Sequence, residues 1–324
     1  MILDGHIHIN DGPEDREDFM RRLQAAGVDG GILLSPAPAC FAGAIHTASP
    51  LERLENVLFW CDAGPNLYPF YWIDPTETDA LKQVDLAVSK GVAGFKIICS
   101  THDPGDPRAM RTYQAIADAG RPILFHSGIL WDGKPSSPHN RPANFEALLD
   151  VKGLRFALAH ISWPWTDECI AVYGKFQAVM HHRSDFDVEM FIDTTPGTPP
   201  IYRRDALTRL FTVGYDVAHN VLFGSDNHAN QYDADYARTW IKRDRAILAE
   251  IGVDEATVDN VFGENLKRFV GITQPSDKPK EIAREIHKPR ENWDAAFQAM
   301  AAQGDDEWLD GELISTSTWD EEEC

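Results

Sequence analysis

The sequence predicts a (β/α)8 TIM barrel, and three observations carry the prediction. Short apolar runs alternate with longer amphipathic segments along most of the 324 residues. The apolar runs are continuous rather than alternating, as strands buried on both faces of a parallel sheet should be. Several of them end on a polar residue of metal-ligand type, and such residues converge only if the sheet closes on itself. An open doubly wound sheet shares the first two features and is the competing architecture.

The elements follow in order. Strands are predicted over 1–9, 30–34, 68–72, 94–98, 123–126, 156–160, 190–193 and 221–224. Helices are predicted over 17–26, 51–62, 79–90, 107–119, 144–151, 167–182, 202–213 and 236–251. Gly27, Gly91, Gly120 and Gly252 stand where helices commonly stop. After Thr273 the character changes. Residues 274–280 read as a linker, 281–302 as a helical stretch interrupted near Pro289, and the end from Asp305 is acidic and rich in Ser and Thr. The chain therefore divides into a barrel domain over 1–273 and a C-terminal extension over 274–324.

Composition narrows the function. Hydrophobic residues make up 43% of the chain, enough for a large core, and the net charge is −21. Such a surface repels phosphate backbones and anionic membranes, so neither nucleic acid nor a membrane is an expected partner. A small anionic substrate is still allowed, because a metal and a few cations reverse the field locally. The five cysteines, Cys40, Cys61, Cys99, Cys169 and Cys324, form no CxxC pair and suggest reduced thiols rather than a disulfide framework. The N-terminus has no basic, apolar leader, and no apolar run is long enough to span a bilayer. The expected location is the cytoplasm and the expected partner a small-molecule substrate, with a homodimer as an option.

The chemistry lies at the strand ends. His6 and His8 are two apart, so on a strand both imidazoles face one side. Two inward histidines are costly to bury unless something uses them, and a divalent metal does. The fifth strand ends on His126, the sixth on His160 and the eighth on Asp226. Any one of these alone reads better as a hydrogen-bonded core histidine or a capping aspartate. Together, in this order, they point to a metal centre of His6, His8, His126 and Asp226. Lys96 ends the fourth strand and Asp193 the seventh. Trp131, Trp163 and Trp165 follow the His126 and His160 strands, with Arg108, Arg141, His102 and His228 in neighbouring loops. Trp131 and Trp163 are the substrate candidates among these; for the rest surface packing is the expected role. The pair His181-His182 reads as exposed.

These stretches resemble the amidohydrolase superfamily, in the branch called amidohydrolase-related family 2. That branch includes TIM-barrel metal-dependent hydrolases and aminocarboxymuconate-semialdehyde decarboxylase. The matching segments are Asp4-Gly5-His6-Ile7-His8, Gly94-Phe95-Lys96-Ile97, Pro122 to Gly128, Leu158-Ala159-His160, Leu222 to Asp226, and Phe262 to Phe269, where Leu266 replaces the family's usual alanine. The resemblance spans roughly Met1 to Ile272. It implies one divalent ion held by His6, His8, His126 and Asp226. Zinc is the expected metal, with manganese, iron or nickel as alternatives and a second ion as an option. It implies that Asp226 takes a proton from water and that His160 acts on water or substrate. Lys96 is expected as a plain lysine that contacts substrate, although some superfamily members carbamylate a lysine there. The expected activity is hydrolysis of an amide, ester or lactone. Non-hydrolytic decarboxylation of an unsaturated or aromatic carboxylate is the first alternative, and a non-catalytic metal-binding barrel the second.

Overall fold

A computed structural model describes residues 1–10, 12–41 and 48–272, and the C-terminal extension predicted over 274–324 lies outside the described residues. Nine parallel strands form one sheet in the order β8-β7-β6-β5-β4-β3-β2-β1-β9. The strands are β1 (Leu3–His8), β2 (Gly30–Leu34), β3 (Leu67–Trp72), β4 (Gly94–Ile97), β5 (Ile123–Phe125), β6 (Arg155–Leu158), β7 (Glu189–Asp193), β8 (Val221–Leu222) and β9 (Asn227–His228). The eight predicted strands are all present. The ninth is a two-residue continuation of the β8 segment that pairs with β1 through Ile7 and Asn227. That pairing closes the sheet, with help from the Gly5 amide, which donates to the Phe223 carbonyl at 2.9 Å. A Cβ on Gly5 would sit 2.8 Å from that carbonyl oxygen, so only glycine lets the two ends meet.

The helices pack outside: α1 (Arg16–Ala26), α2 (Pro50–Cys61), α3 (Ala80–Ser89), α4 (Pro107–Asp118), α5 (Thr166–His182), α6 (Pro200–Thr212), α7 (Ala234–Glu250), α8 (Glu255–Asp259) and α9 (Asn265–Val270). Local chemistry explains their ends. Ser49 and Glu52 form a reciprocal capping box at the start of α2. Asp15 and Asp233 cap α1 and α7 by accepting from backbone amides. The segment predicted as a helix over 144–151 is instead a 3-10 run, Pro142–Asp150. A 3-10 helix rises about 2.0 Å per residue against 1.5 Å for an α-helix, so nine residues cover more of the barrel wall.

Side-chain alternation sorts the core into two parts. Ile32, Leu34, Phe70, Leu124, Ala157, Phe191 and Leu222 point into the barrel, where Leu266 and Phe269 of α9 meet them. The Phe269 ring lies 5.0 Å from Phe191 and 6.1 Å from Phe70, so α9 plugs the base of the barrel. Leu33, Phe95, Ile97, Phe125, Phe156 and Ile192 point outward to the helices. The same alternation sends Lys96, His126 and Asp193 inward, one layer above the apolar plug. β1 requires a correction of register to do this. Leu3 packs inside and Ile7 outside, which a regular strand forbids, and the pairing with β2 shifts between Asp4 and Ile7. The bulge turns both His6 and His8 inward.

Asp4 holds the closing seam. Its buried carboxylate accepts from the Ser225 amide (2.8 Å), the His6 amide (3.1 Å), the Tyr232 hydroxyl (2.9 Å) and the Ser225 hydroxyl. Burial raises its pKa to about 6 against the pull of these donors. Replacing Asp4 by alanine strands several buried donors, and unsatisfied buried groups cost roughly 1–3 kcal/mol each. Asp4→Ala should therefore lose about 3 kcal/mol or more in urea unfolding, and Tyr232→Phe about 1 kcal/mol. An Asp4→Ala protein with wild-type stability would show that the seam is held elsewhere.

Candidate metal centre

β1 delivers His6 and His8 to the C-terminal mouth of the barrel, and the turn after β8 delivers Asp226. The ligand atoms of these three residues lie within 4.8 Å of one another. Asp226 Oδ1 is 3.3 Å from His8 Nε2 and 3.8 Å from His6 Nε2. Its backbone takes a left-handed φ of 59°, which aspartate tolerates better than most residues. Ser225, clamped by Asp4, sets that turn.

His6 is oriented from behind. Its Nδ1 lies 2.8 Å from Asp193 Oδ2, while the other oxygen of Asp193 accepts from the Thr195 amide at 2.7 Å and from the Thr195 hydroxyl. A proton on Nδ1 leaves a lone pair on Nε2, and that nitrogen is buried with no hydrogen-bond partner. Gly224 makes room for this arrangement: a Cβ there would meet Thr195 Oγ1 at 2.2 Å and His6 Cβ at 3.0 Å.

The remaining rings form a chain. His6 stands 5.0 Å from His8 and 5.2 Å from His160, and His160 stands 4.9 Å from His126. The sequence placed His160 at the end of the sixth strand, but β6 stops at Leu158. His160, Ile161 and Ser162 then take positive φ values of 62°, 43° and 54°. This left-handed turn swings the His160 ring into the mouth, where its Nδ1 has no hydrogen-bond partner. His126 does not join the group of three. Its Nε2 faces the Ile129 carbonyl at 3.2 Å, which leaves Nδ1 with the lone pair. Lys96 lies beneath, 1% exposed, with no partner for Nζ.

Burial sets the charges. It depresses the pKa values of His6 and His126 far below the usual range for histidine, with Lys96 adding to both, and lowers His160 to about 4. All three imidazoles are neutral at pH 7, the form that binds metal. Burial also lowers Lys96 to about 8, against the attraction of Asp193 and Asp226. Burial opposes the charge on Asp226, but the hydrogen bond from His8 helps hold it well below the usual carboxylate range. The centre is thus a carboxylate and neutral imidazoles with unused lone pairs. This donor set suits a divalent first-row ion, with zinc among the options.

A cavity opens above, walled by Trp72, Leu130, Trp131, Trp163 and Phe41. Trp131 is 82% exposed at the rim, and Trp163 stacks on Tyr202 at 6.3 Å. Arg108 and Arg141 are engaged elsewhere, with Asp106 and with Glu168. His181 and His182 are exposed, as expected. His228 flanks His8 at 6.1 Å and contacts the Asn10 amide through Nδ1. Sequence reasoning missed the supporting residues Thr195, Ser225, Tyr232 and Asp4. It noted Asp193 only as a strand end.

The sequence model of the amidohydrolase family matches residues 3–272. The chain belongs to the amidohydrolase family. It is accordingly an enzyme, and the family generally uses divalent metals. No curated protein compared with this amidohydrolase matches it in sequence. Among solved structures it is similar to 2,6-dihydroxybenzoate decarboxylase from Rhizobium, with 14% identity, a TM-score of 0.53, and 84% of this chain and 98% of that one covered. It is also similar to dihydroorotase from Campylobacter jejuni, with 15% identity, a TM-score of 0.54, and coverage of 85% and 84%. A third is amidohydrolase 2 from Bifidobacterium longum subsp. infantis, with 15% identity, a TM-score of 0.50, and coverage of 83% and 98%. At these identities the likeness establishes the barrel fold. Among the described residues no helix is long and apolar enough to cross a membrane.

Two substitutions test the centre. His6→Ala should bind an ion at this centre at least about ten-fold more weakly than the wild type. Asp193→Ala should keep the ligands but weaken metal affinity by roughly 10–100-fold, as loss of an outer partner does. Competition with a chelator reads both, and unchanged affinity in Asp193→Ala would remove it from the orienting role.

Proposed function

We propose that this amidohydrolase is a metal-dependent hydrolase that attacks the amide, ester or lactone carbonyl of a small molecule. The observation that carries the reading is the placement of Asp226. Its ionised carboxylate is 33% exposed to the cavity yet shares one point with His6 Nε2 and His8 Nε2. A divalent ion at that point would lower the pKa of a bound water from near 16 towards about 7. His6, His8 and Asp226 would hold the ion, with His126 as a fourth donor if its ring turns from the Ile129 carbonyl. Asp226 accepts the proton from water as general base. His160, neutral and with a free nitrogen, donates a hydrogen bond to the carbonyl oxygen as charge develops there. Trp131 and Trp163 hold the apolar part of the substrate. A cytoplasmic location suits this role.

The cavity wall favours hydrolysis. Glu14, Glu52 and Glu55 line it, and the wall's one guanidinium among the described residues, Arg53, donates to the Trp72 carbonyl and the Tyr71 hydroxyl. Such a wall resists a free carboxylate and suits a neutral or cationic substrate. A second reading, decarboxylation, is favoured by Lys96, whose unpartnered ammonium beneath the centre would pair with a substrate carboxylate.

Product analysis separates the two. The expected outcome is turnover of neutral amides, esters or lactones without release of carbon dioxide, whereas carbon dioxide from aromatic carboxylates would transfer the assignment to the second reading. Asp226→Asn should lower kcat by about 10²–10⁴-fold. Metal content measured on the same sample distinguishes loss of the base from loss of the ion.

A further inference from the structure

We propose that the rim of the barrel carries a second divalent-cation site, separate from the centre on β1 and β8, built from Cys40, Asp74 and Glu77 with His102 behind them. The residues come from three successive strand-end loops. Cys40 follows β2, Asp74 and Glu77 follow β3, and His102 follows β4. One ligand atom from each of Cys40, Asp74 and Glu77 lies within 4.8 Å of the others.

The carboxylates are oriented as ligands are. Asp74 Oδ1 accepts from the Thr76 amide at 2.9 Å and the Thr76 hydroxyl at 2.7 Å. Glu77 Oε2 accepts from Gln83 Nε2 at 2.6 Å, and Gln83 is itself fixed by Tyr71 and Asp79. Hydrogen bonds from Thr76 and Gln83 thus fix the two carboxylates from outside the cluster, the arrangement that outer hydrogen bonds impose on metal ligands. The Cys40 thiol contacts Asp74, and burial with these carboxylates raises its pKa to about 12.

His102 supplies an independent observation. It is 5% exposed, and neither ring nitrogen has a hydrogen-bond partner. Asp74 is the strongest charge acting on it, and His102 acts on Asp74 in return. A buried imidazole with both nitrogens unpaired is costly, and coordination relieves that cost at one of them. A thiolate and two carboxylates, with the His102 imidazole within electrostatic reach of Asp74, form a borderline donor set suited to zinc or cobalt. Binding expels the Cys40 proton to solvent as the sulfur–metal bond forms. The ion would tie the loop after β2 to the loop after β3. Phe41, next to Cys40, packs on Trp72 at 4.9 Å, so the tie would stiffen one wall of the substrate cavity.

The test loads the full chain with cobalt and reads two signals: metal per chain, and the thiolate-to-cobalt absorption in the near ultraviolet. The wild type is expected to hold two ions and show the band. Cys40→Ser should hold one fewer ion and lose the band, while His6→Ala should lose the other ion and keep it. Cys40 is exposed, so its replacement leaves the core intact. A loaded wild type without the band, or a band that survives in Cys40→Ser, overturns the proposal. A single wild-type ion whose band vanishes in Cys40→Ser supports the rim site and counts against the centre on β1 and β8.

Discussion

The barrel depends on one constraint: its first strand must meet its last across a very short seam. β8 and β9 offer two residues each, too few to close a sheet by backbone pairing alone. The Asp4 carboxylate supplies what they lack. It gathers donors from β1, from the turn that bears Asp226 and from Tyr232 beyond it. A carboxylate buried this way is expensive, and its four donors offset the expense. The result is that one side chain closes the sheet and also sets the metal-facing turn.

The same economy appears one layer higher. Apolar residues fill the base of the barrel, and above them His6, His8, Lys96, His126 and Asp193 point inward, beside Trp72. Asp193 is held by Thr195 and in turn holds His6, so the ligand nitrogen points at the mouth before any ion arrives. Buried groups without partners, such as His6 Nε2, His160 Nδ1 and Lys96 Nζ, oppose folding. Their concentration at one end of the barrel marks where stability has been given up for chemistry.

Much of this was legible in the residues, and the failures have physical causes. Continuous apolar runs such as Ile32-Leu33-Leu34 mark buried strands because both faces of each are covered. His6 and His8 could be placed on one face because strand geometry repeats every two residues. β9 escaped because two polar residues carry no periodic signal. The inward swing of His160 escaped because it depends on three left-handed residues, none of them glycine. The His6–Asp193 contact joins positions 187 apart in the chain, and no local pattern records it. His126, read as the end of the fifth strand, lies one residue past β5, and its ring is turned by the Ile129 carbonyl, a contact invisible in a string of letters. The 3-10 run at Pro142–Asp150 keeps a helical pattern of buried residues, so hydrophobicity could not separate it from an α-helix.

The plug formed by α9 bears on how the chain folds as it is made. Leu266 and Phe269 seal the barrel from below, yet they are among the final described residues to leave the ribosome. Until they emerge, Phe70 and Phe191 face water through an open base. Nascent chains of this enzyme must therefore wait, with most strands already synthesised, for the stopper that makes the interior dry.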